Sequence, residues 1–172
     1  MSFDDTLLSY LPAIVGNAAP VIVTSIPGLR RWNAPVLPSI LGAHKTWIGF
    51  CSGALIGCIA GGLLHLFGPW TPIAALLYEQ LPQSLLIGTL LGFGALFGDA
   101  VESVVKRRMG IPSGGALPVI DNIDYAVGAL LFMLPFHTPS WQEAAMLILA
   151  CWALSVISNL VSYSLRLKKV WY

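Results

Sequence analysis

The sequence predicts an all-α polytopic membrane protein with five transmembrane helices, its N-terminus outside and its C-terminus cytoplasmic, and three observations carry that prediction. Charge is scarce: 10% of the 172 residues are charged and 56% are hydrophobic, whereas soluble domains carry roughly 25% charged residues. The apolar residues fall into five runs near the ~20-residue length that a bilayer core demands of a helix, at 7–26, 47–67, 83–105, 123–136 with its flanks, and 141–165. Finally, all nine lysines and arginines lie in three segments that five spans place on one side of the membrane, and the positive-inside rule makes that side cytoplasmic.

The elements follow in order. The N-terminus "MSFDDTLLSY" carries aspartates and no base, the wrong pattern for a cleaved signal peptide, so the first run is expected to stay in the mature protein. Arg30, Arg31 and Lys45 separate it from the second run, where Gly49, Gly53, Gly57 and Gly61 recur every four residues. Gly88 with Gly92, and Gly94 with Gly98, repeat that spacing in the third run, and small residues so spaced let helix backbones approach closely in lipid. Lys106, Arg107 and Arg108 end the third run. The fourth fits a span only with Asp121 and Asp124 at or just inside the membrane surface. Arg166, Lys168 and Lys169 follow the fifth, while Asp4, Asp5, Glu79 and Glu143 fall on the opposite side. Trp47, Trp70, Trp141 and Trp171 near run ends suit interfacial anchors. Cys51, Cys58 and Cys151 sit in apolar runs without CxxC spacing and read as small buried hydrophobes. The whole, 1–172, is expected to be a single integral membrane domain. A net charge of +1 argues neither for nor against nucleic acid, but the near absence of charge outside short segments argues against a phosphate-tracking surface.

Within this apolar chain, the stretch "GDAVESVVKRRMGIPSGGALPVIDNID", residues 98–124, concentrates opposite charges. On a helix, Asp99, Ser103 and Lys106 fall in one narrow sector, with Glu102 and Arg107 at its edges. Asp121 and Asp124, three apart, are expected on one face of the next helix. Two helix ends joined by a glycine-rich loop can then aim three aspartates and several bases into one cavity. Carboxylates at a membrane boundary are costly unless paired, hydrated or bound to metal. Asp99, Asp121 and Asp124 with Ser103 suit Mg²⁺, a hard ion that takes oxygen ligands and shares its shell with phosphates, and Lys106 and Arg107 suit phosphate oxygens. The same residues also fit helix caps and interfacial ion pairs. Ser103 can back-bond to its own helix, and 106–108 can act as a translocation stop.

At these residues the chain resembles a known family. Ser103-x-x-Lys106-Arg107, a glycine-containing loop with Pro118, and Asp121-x-x-Asp124 are similar to the signature of the membrane CTP:phosphatidate cytidylyltransferases, the CDP-diacylglycerol synthases, and "FGD" at 97–99 also fits. The compact size, "LGAHKTW" at 41–47 and "LPVIDNIDY" at 117–125 resemble the archaeal branch, which forms CDP-archaeol. The chain departs from the bacterial pattern at Pro112-Ser113, at "LPVI" before the aspartates and at Asn122, which favours the archaeal branch. The resemblance implies a Mg²⁺-dependent transfer in which the phosphate of 2,3-di-O-geranylgeranylglycerol 1-phosphate attacks the α-phosphorus of CTP and releases pyrophosphate. It implies CTP, an isoprenoid ether-lipid phosphate and membrane lipids as partners. The enzyme is then a multi-pass protein of the cell membrane with its active site facing the cytoplasm, built from loops at about 27–46 and 106–120. Asp99, Ser103, Asp121 and Asp124 would be the catalytic set and Lys106 and Arg107 phosphate ligands. A synthase acting on phosphatidate and a small membrane transporter or scaffold remain alternatives. A CDP-alcohol phosphotransferase is a further rival, although its longer aspartate-rich motif is absent, and dependence of CTP turnover on added lipid phosphate separates the synthase from it.

The first loop, "GLRRWNAPVLPSILGAHKTW" at 28–47, offers further donors. Lys45 and Thr46 precede a helix N-terminus, which favours anions, and the resemblance places nucleotide contacts there. His44 can add a phosphate donor. Arg30 and Arg31 suit lipid headgroups or topology. Asn17, at membrane depth, serves either an interhelical hydrogen bond or a lipid-side substrate contact. His65 and His137 fall toward the outer side as structural residues. Pro12, Pro20, Pro27 and Pro135 can kink or end helices and open a groove for lipid tails.

Overall fold

The computed structural model describes residues 2–68, 71–113, 115–164 and 166. They form α1 (Phe3–Ser25), a short α2 (Pro38–Leu41), α3 (Trp47–Phe67), a short α4 (Pro72–Leu77), α5 (Leu81–Arg108), α6 (Asp124–Met133) and α7 (Trp141–Ser164), with 3₁₀ turns at Pro27–Trp32 and Ile120–Asn122. Four helices, α1, α3, α5 and α7, are long and apolar enough to cross a membrane.

The fourth run departs from expectation. Only Asp124–Met133 is helical, 10 residues or about 15 Å, half of the ~30 Å hydrocarbon core. Leu134 keeps helical backbone, φ −48° and ψ −36°, but Pro135 has no N–H to carry the helical hydrogen-bond ladder further, and the chain turns there, with the amides of Phe136 and His137 both donating to the Met133 carbonyl. The N-terminal boundary is also later than the spacing implied. Asp121 lies in the 3₁₀ turn, where its Oδ2 accepts from the Leu117 amide at 3.0 Å, and the helix begins only at Asp124. The two aspartates therefore do not share one helical face.

The second run, 47–67, coincides with α3 and the fifth, 141–165, agrees closely with α7, whereas the first and third begin earlier than expected. Ser2 caps α1, its Oγ accepting from the Asp5 amide at 3.3 Å, so that helix starts before residue 7. Pro12 and Pro20 lie inside it without ending it. Asp5 is recruited to another helix end: its Oδ1 accepts from the amides of Ile73 and Ala74 at 3.1 and 3.2 Å, two donors that the start of α4 would otherwise leave unpaired. The helix of the third run, α5, is 28 residues long, about 42 Å.

Backbone contact through glycine sets the packing. A Cβ at Gly57, Gly61, Gly88 or Gly92 would lie under 3.0 Å from backbone of the facing helix, so α3 and α5 can meet this closely only without side chains. Gly16 of α1 joins the same seam against Gly92 and Gly53. A second seam, Gly94 and Gly98 against Gly128 and Asp124, docks α6 on α5. Pairing Gly53 with Gly92 and Gly57 with Gly88, and then Gly98 with Asp124 and Gly94 with Gly128, makes each neighbour antiparallel. The direction reverses again into α7, where the Tyr125 hydroxyl donates to the Cys151 carbonyl at 2.9 Å.

The apolar core gathers Tyr10, Tyr78, Ile87, Leu91, Tyr125, Met133 and Leu147. Cys151 belongs to it, but Cys51 is exposed on α3, away from the glycine seam, and Cys58 is half-buried; the buried reading holds for one cysteine of the three. Trp47 and Trp141 are exposed at helix ends. Trp70, Trp171, Lys168 and Lys169, to which the sequence reading gave anchoring and topological roles, lie outside the described residues.

Candidate functional site

The basic end of the bundle is hollow. A cavity of about 970 Å³ is bounded by α1, the first loop, the second half of α5, the 111–123 segment, the start of α6 and the second half of α7. Its charged wall follows from the α5 sequence: Asp99, Glu102, Ser103 and Lys106 stand at i, i+3, i+4 and i+7, one face of a helix, and all four line the cavity. The Gly98 seam brings Asp124, the first residue of α6, against that face. This level is some ten residues, about 15 Å, before α5 ends at Arg108, so the site is recessed from the helix end.

Carboxylate oxygens of Asp99, Glu102 and Asp124 lie within 4.8 Å of one another. Glu102 and Asp124 are buried, and Asp124 Oδ1 accepts from the Tyr125 amide at 2.7 Å. Two lysines balance the cluster. Lys45 Nζ pairs with Asp99 Oδ2. Lys106 Nζ lies 2.6 Å from Glu102 Oε1 and 2.8 Å from Asp121 Oδ1, so one buried ammonium ties the 3₁₀ turn to α5. Three acids this close are tolerable out of water only with such partners.

Lys45 reaches Asp99 because the first loop is pinned. Val36 donates to the Lys45 carbonyl at 2.9 Å and Trp47 to the Ala34 carbonyl at 3.0 Å, a single antiparallel bridge across Pro35 and Thr46. The two loops expected to form the site also meet: Gly42 has φ +83°, a conformation glycine accepts readily, and a Cβ there would press on Ser113 Oγ.

The expected site residues are placed as follows. Asp99, Ser103, Lys106, Arg107, Asp121, Asp124, Lys45, His44 and Asn17 all line the cavity. Thr46 lines an adjoining cavity of about 190 Å³ with Asn17, His44, Lys45 and Asp99. Its Oγ1 caps α3, accepting from Gly49 at 3.3 Å. Ser103 Oγ donates to the Asp99 carbonyl at 3.1 Å, the back-bond the sequence allowed, which leaves the oxygen's lone pairs toward the site. Arg107 Nε is buried without a hydrogen-bond partner among the described residues. Arg30 and Arg31 fall in the 3₁₀ turn Pro27–Trp32, and their side chains lie outside the described residues. His65 binds the Tyr78 carbonyl at 3.0 Å and His137 binds Glu143 at 2.7 Å, both far from the cavity.

Two groups escaped the sequence reading. Glu102 stood at the edge of the helical sector; its i+3 relation to Asp99 was the available sign. Ser155, Ser158 and Asn159 of α7 also line the cavity, and their sign was polar residues at i, i+3 and i+4 directly after the apolar stretch at 144–154.

Comparison with known proteins bears on this arrangement. Residues 5–172 match the family model described as CarS-like: CDP-archaeol synthase. Similar proteins named CDP-archaeol synthase include one from Thermococcus gammatolerans, 33% identical over 163 residues, covering 93% of this chain and 91% of the relative. The Methanospirillum hungatei protein is 34% identical over 180 residues, covering 95% and 98%. The Methanopyrus kandleri protein is 38% identical over 137 residues, covering 76% and 70%. A solved structure described as an intramembrane enzyme for archaeal membrane lipids biosynthesis superposes with a TM-score of 0.71 at 28% identity, covering 90% of this chain and 92% of that one.

Proposed function

This chain belongs to the CarS-like CDP-archaeol synthase family, and from that membership we propose that it transfers a cytidylyl group from CTP to the phosphate of an archaeal ether lipid, 2,3-di-O-geranylgeranylglycerol 1-phosphate. An oxygen of the lipid phosphate attacks the α-phosphorus of CTP, the bond from that phosphorus to the β-phosphate bridging oxygen breaks, and pyrophosphate leaves. The observation that carries the reading is the recessed cavity itself, in which Asp99, Glu102 and Asp124 face Lys45, Lys106 and Arg107 beside an apolar rim.

Oxygen-only donors within 4.8 Å of one another fit a hard divalent cation, so Asp99, Glu102 and Asp124 are the residues that would hold Mg²⁺. Bound there, it supplies positive charge that offsets the repulsion of two approaching anions and the charge on the departing pyrophosphate. Asp121 shares Lys106 with Glu102 and stands ready as a further ligand when that ammonium turns to a phosphate. Ser103 holds the Asp99 end of the set through its back-bond. Lys45, Lys106 and Arg107 take the triphosphate oxygens, and Thr46, by capping α3, keeps Lys45 at the wall. Asn17, Arg30 and Arg31 serve the lipid side. This is positioning and charge stabilisation, the main requirements of phosphoryl chemistry.

The topology follows the same reading. α6, antiparallel to both neighbours, completes a fourth crossing together with its non-helical flanks, giving five passes through the cell membrane with the N-terminus outside and the basic end, with the site, facing the cytoplasm. Purified protein given CTP, Mg²⁺ and the lipid phosphate should yield CDP-lipid and pyrophosphate in equal amounts by mass spectrometry; CDP-lipid formed equally well without lipid phosphate's phosphate group, or no product at all, would overturn the assignment.

A further inference from the structure

The cavity has two chemically different walls. α5 and the start of α6 supply carboxylates and an ammonium, whereas α7 supplies Ser155, Ser158 and Asn159. These three share one face of α7, directly after its apolar stretch at 144–154, and little of that helix is buried in the bundle. Polar side chains in a membrane span are costly toward lipid and therefore mark cavities and contacts. Ser155 is fixed in height, its Oγ 3.5 Å from the Tyr125 hydroxyl, next in sequence to Asp124. Ser158 and Asn159 continue one turn, about 5 Å, toward the basic end.

Between the two walls the rim is apolar. α1 contributes Ile14 and Ile22 and α7 contributes Leu154 to the same cavity, and Ile22 and Leu154 are also exposed on the bundle surface. The space thus runs from the carboxylates, past neutral hydroxyl and amide groups, to an apolar gap between α1 and α7. A nucleotide triphosphate needs positive charge along its length. A glycerol diether phosphate instead needs charge at its phosphate, neutral donors at its ether oxygens, which only accept hydrogen bonds, and an apolar exit for its chains. Serine hydroxyls and an asparagine NH₂ are such donors.

We propose that Ser155, Ser158 and Asn159 form the subsite for the glycerol end of the lipid acceptor, making α7 the wall that selects lipid and α5 the wall that binds nucleotide. The inference rests on the cytidylyltransferase reading above. The test uses full-length protein in mixed micelles and measures KM for lipid phosphate and for CTP separately. The double variant Ser155→Ala/Ser158→Ala and, separately, Asn159→Ala should each raise the lipid KM by about tenfold, the scale of one or two lost hydrogen bonds, and leave the CTP KM within about twofold. Ser158→Thr, which keeps a hydroxyl, should restore most of the affinity. Melting temperature is followed for each, and Ser158→Ala alone, at an exposed position, serves if the double variant fails to fold. A raised CTP KM with an unchanged lipid KM would assign this wall to the nucleotide and overturn the proposal, as would unchanged constants for both. Wild-type protein that makes no CDP-lipid contradicts the underlying reading instead, so the two failures are distinguishable.

Discussion

Replacing Gly98 by alanine tests the link from packing to chemistry. The added Cβ would lie under 3.0 Å from the Asp124 carbonyl, which is backbone and cannot rotate away, while ordinary contact begins at 3.4 Å. α6 must therefore move off α5 by at least about half an ångström, carrying Asp124 from the carboxylate trio. Overpacking costs about 1–3 kcal/mol, partly offset by the ~1 kcal/mol gain of alanine over glycine in a helix, so stability should fall modestly. Catalytic geometry is less forgiving: sites need about 0.5 Å precision, and a 1 Å misplacement costs about a hundredfold. The expected result is kcat/KM down about 30- to 100-fold per folded molecule, with Mg²⁺ affinity weakened in parallel. Gly61→Ala is the control: its Cβ meets the Ser84 carbonyl in the other seam, away from the site, so it should cost similar stability and little activity. Thermal melts and steady-state kinetics on both variants decide the matter. Full activity in Gly98→Ala, or equal losses in both variants, would refute the argument.

Asp124→Asn and Asp121→Asn keep size and remove charge, so each should lower turnover at least about a hundredfold; near-normal rates at ordinary Mg²⁺ would remove that residue from the set. With the three native cysteines replaced, an impermeant thiol reagent should label a cysteine placed at position 113 only from the cytoplasmic side, and strong labelling from outside would rule out the proposed orientation. In competition assays CTP should be used well ahead of ATP, because a wrong base leaves buried hydrogen-bonding groups unpaired. Lipid phosphates with other chains, including some ester-linked ones, should keep partial activity, since a methylene is worth only about 1–3 kcal/mol to an apolar pocket. The dephosphorylated lipid should be inert.

The glycine seams were legible because only one residue type permits backbone contact, so the four-residue spacing at 49–61 and 88–98 names its own partner surface. Asp99, Ser103 and Lys106 were legible for a similar reason, as a single helix of known pitch places them. What lay between helices was harder to read. Glu102 joins the trio because Gly98 lets α6 dock on that side of α5, a tertiary fact that a helical wheel does not contain. Asp121 leaves it because the chain prefers a turn closed by the Leu117 amide and ties its other oxygen to Lys106. The fourth run looked long enough to span by composition, yet Pro135 stops the helix and hydropathy does not register a proline's backbone cost. Thr46 was expected at the nucleotide; its hydroxyl oxygen also caps α3, a use that any threonine before a helix can have.

In the proposed reaction this cavity joins the α-phosphate of CTP to a lipid phosphate. Parallel reactions with CTP labelled at the α- or the γ-phosphate, run with wild type and with Asp99→Asn, test it most directly. The α-label should pass into the lipid fraction and the γ-label into pyrophosphate, each requiring both Mg²⁺ and the lipid phosphate, and Asp99→Asn should abolish both. Appearance of the γ-label in lipid, or release of labelled phosphate without any lipid, would contradict the claim.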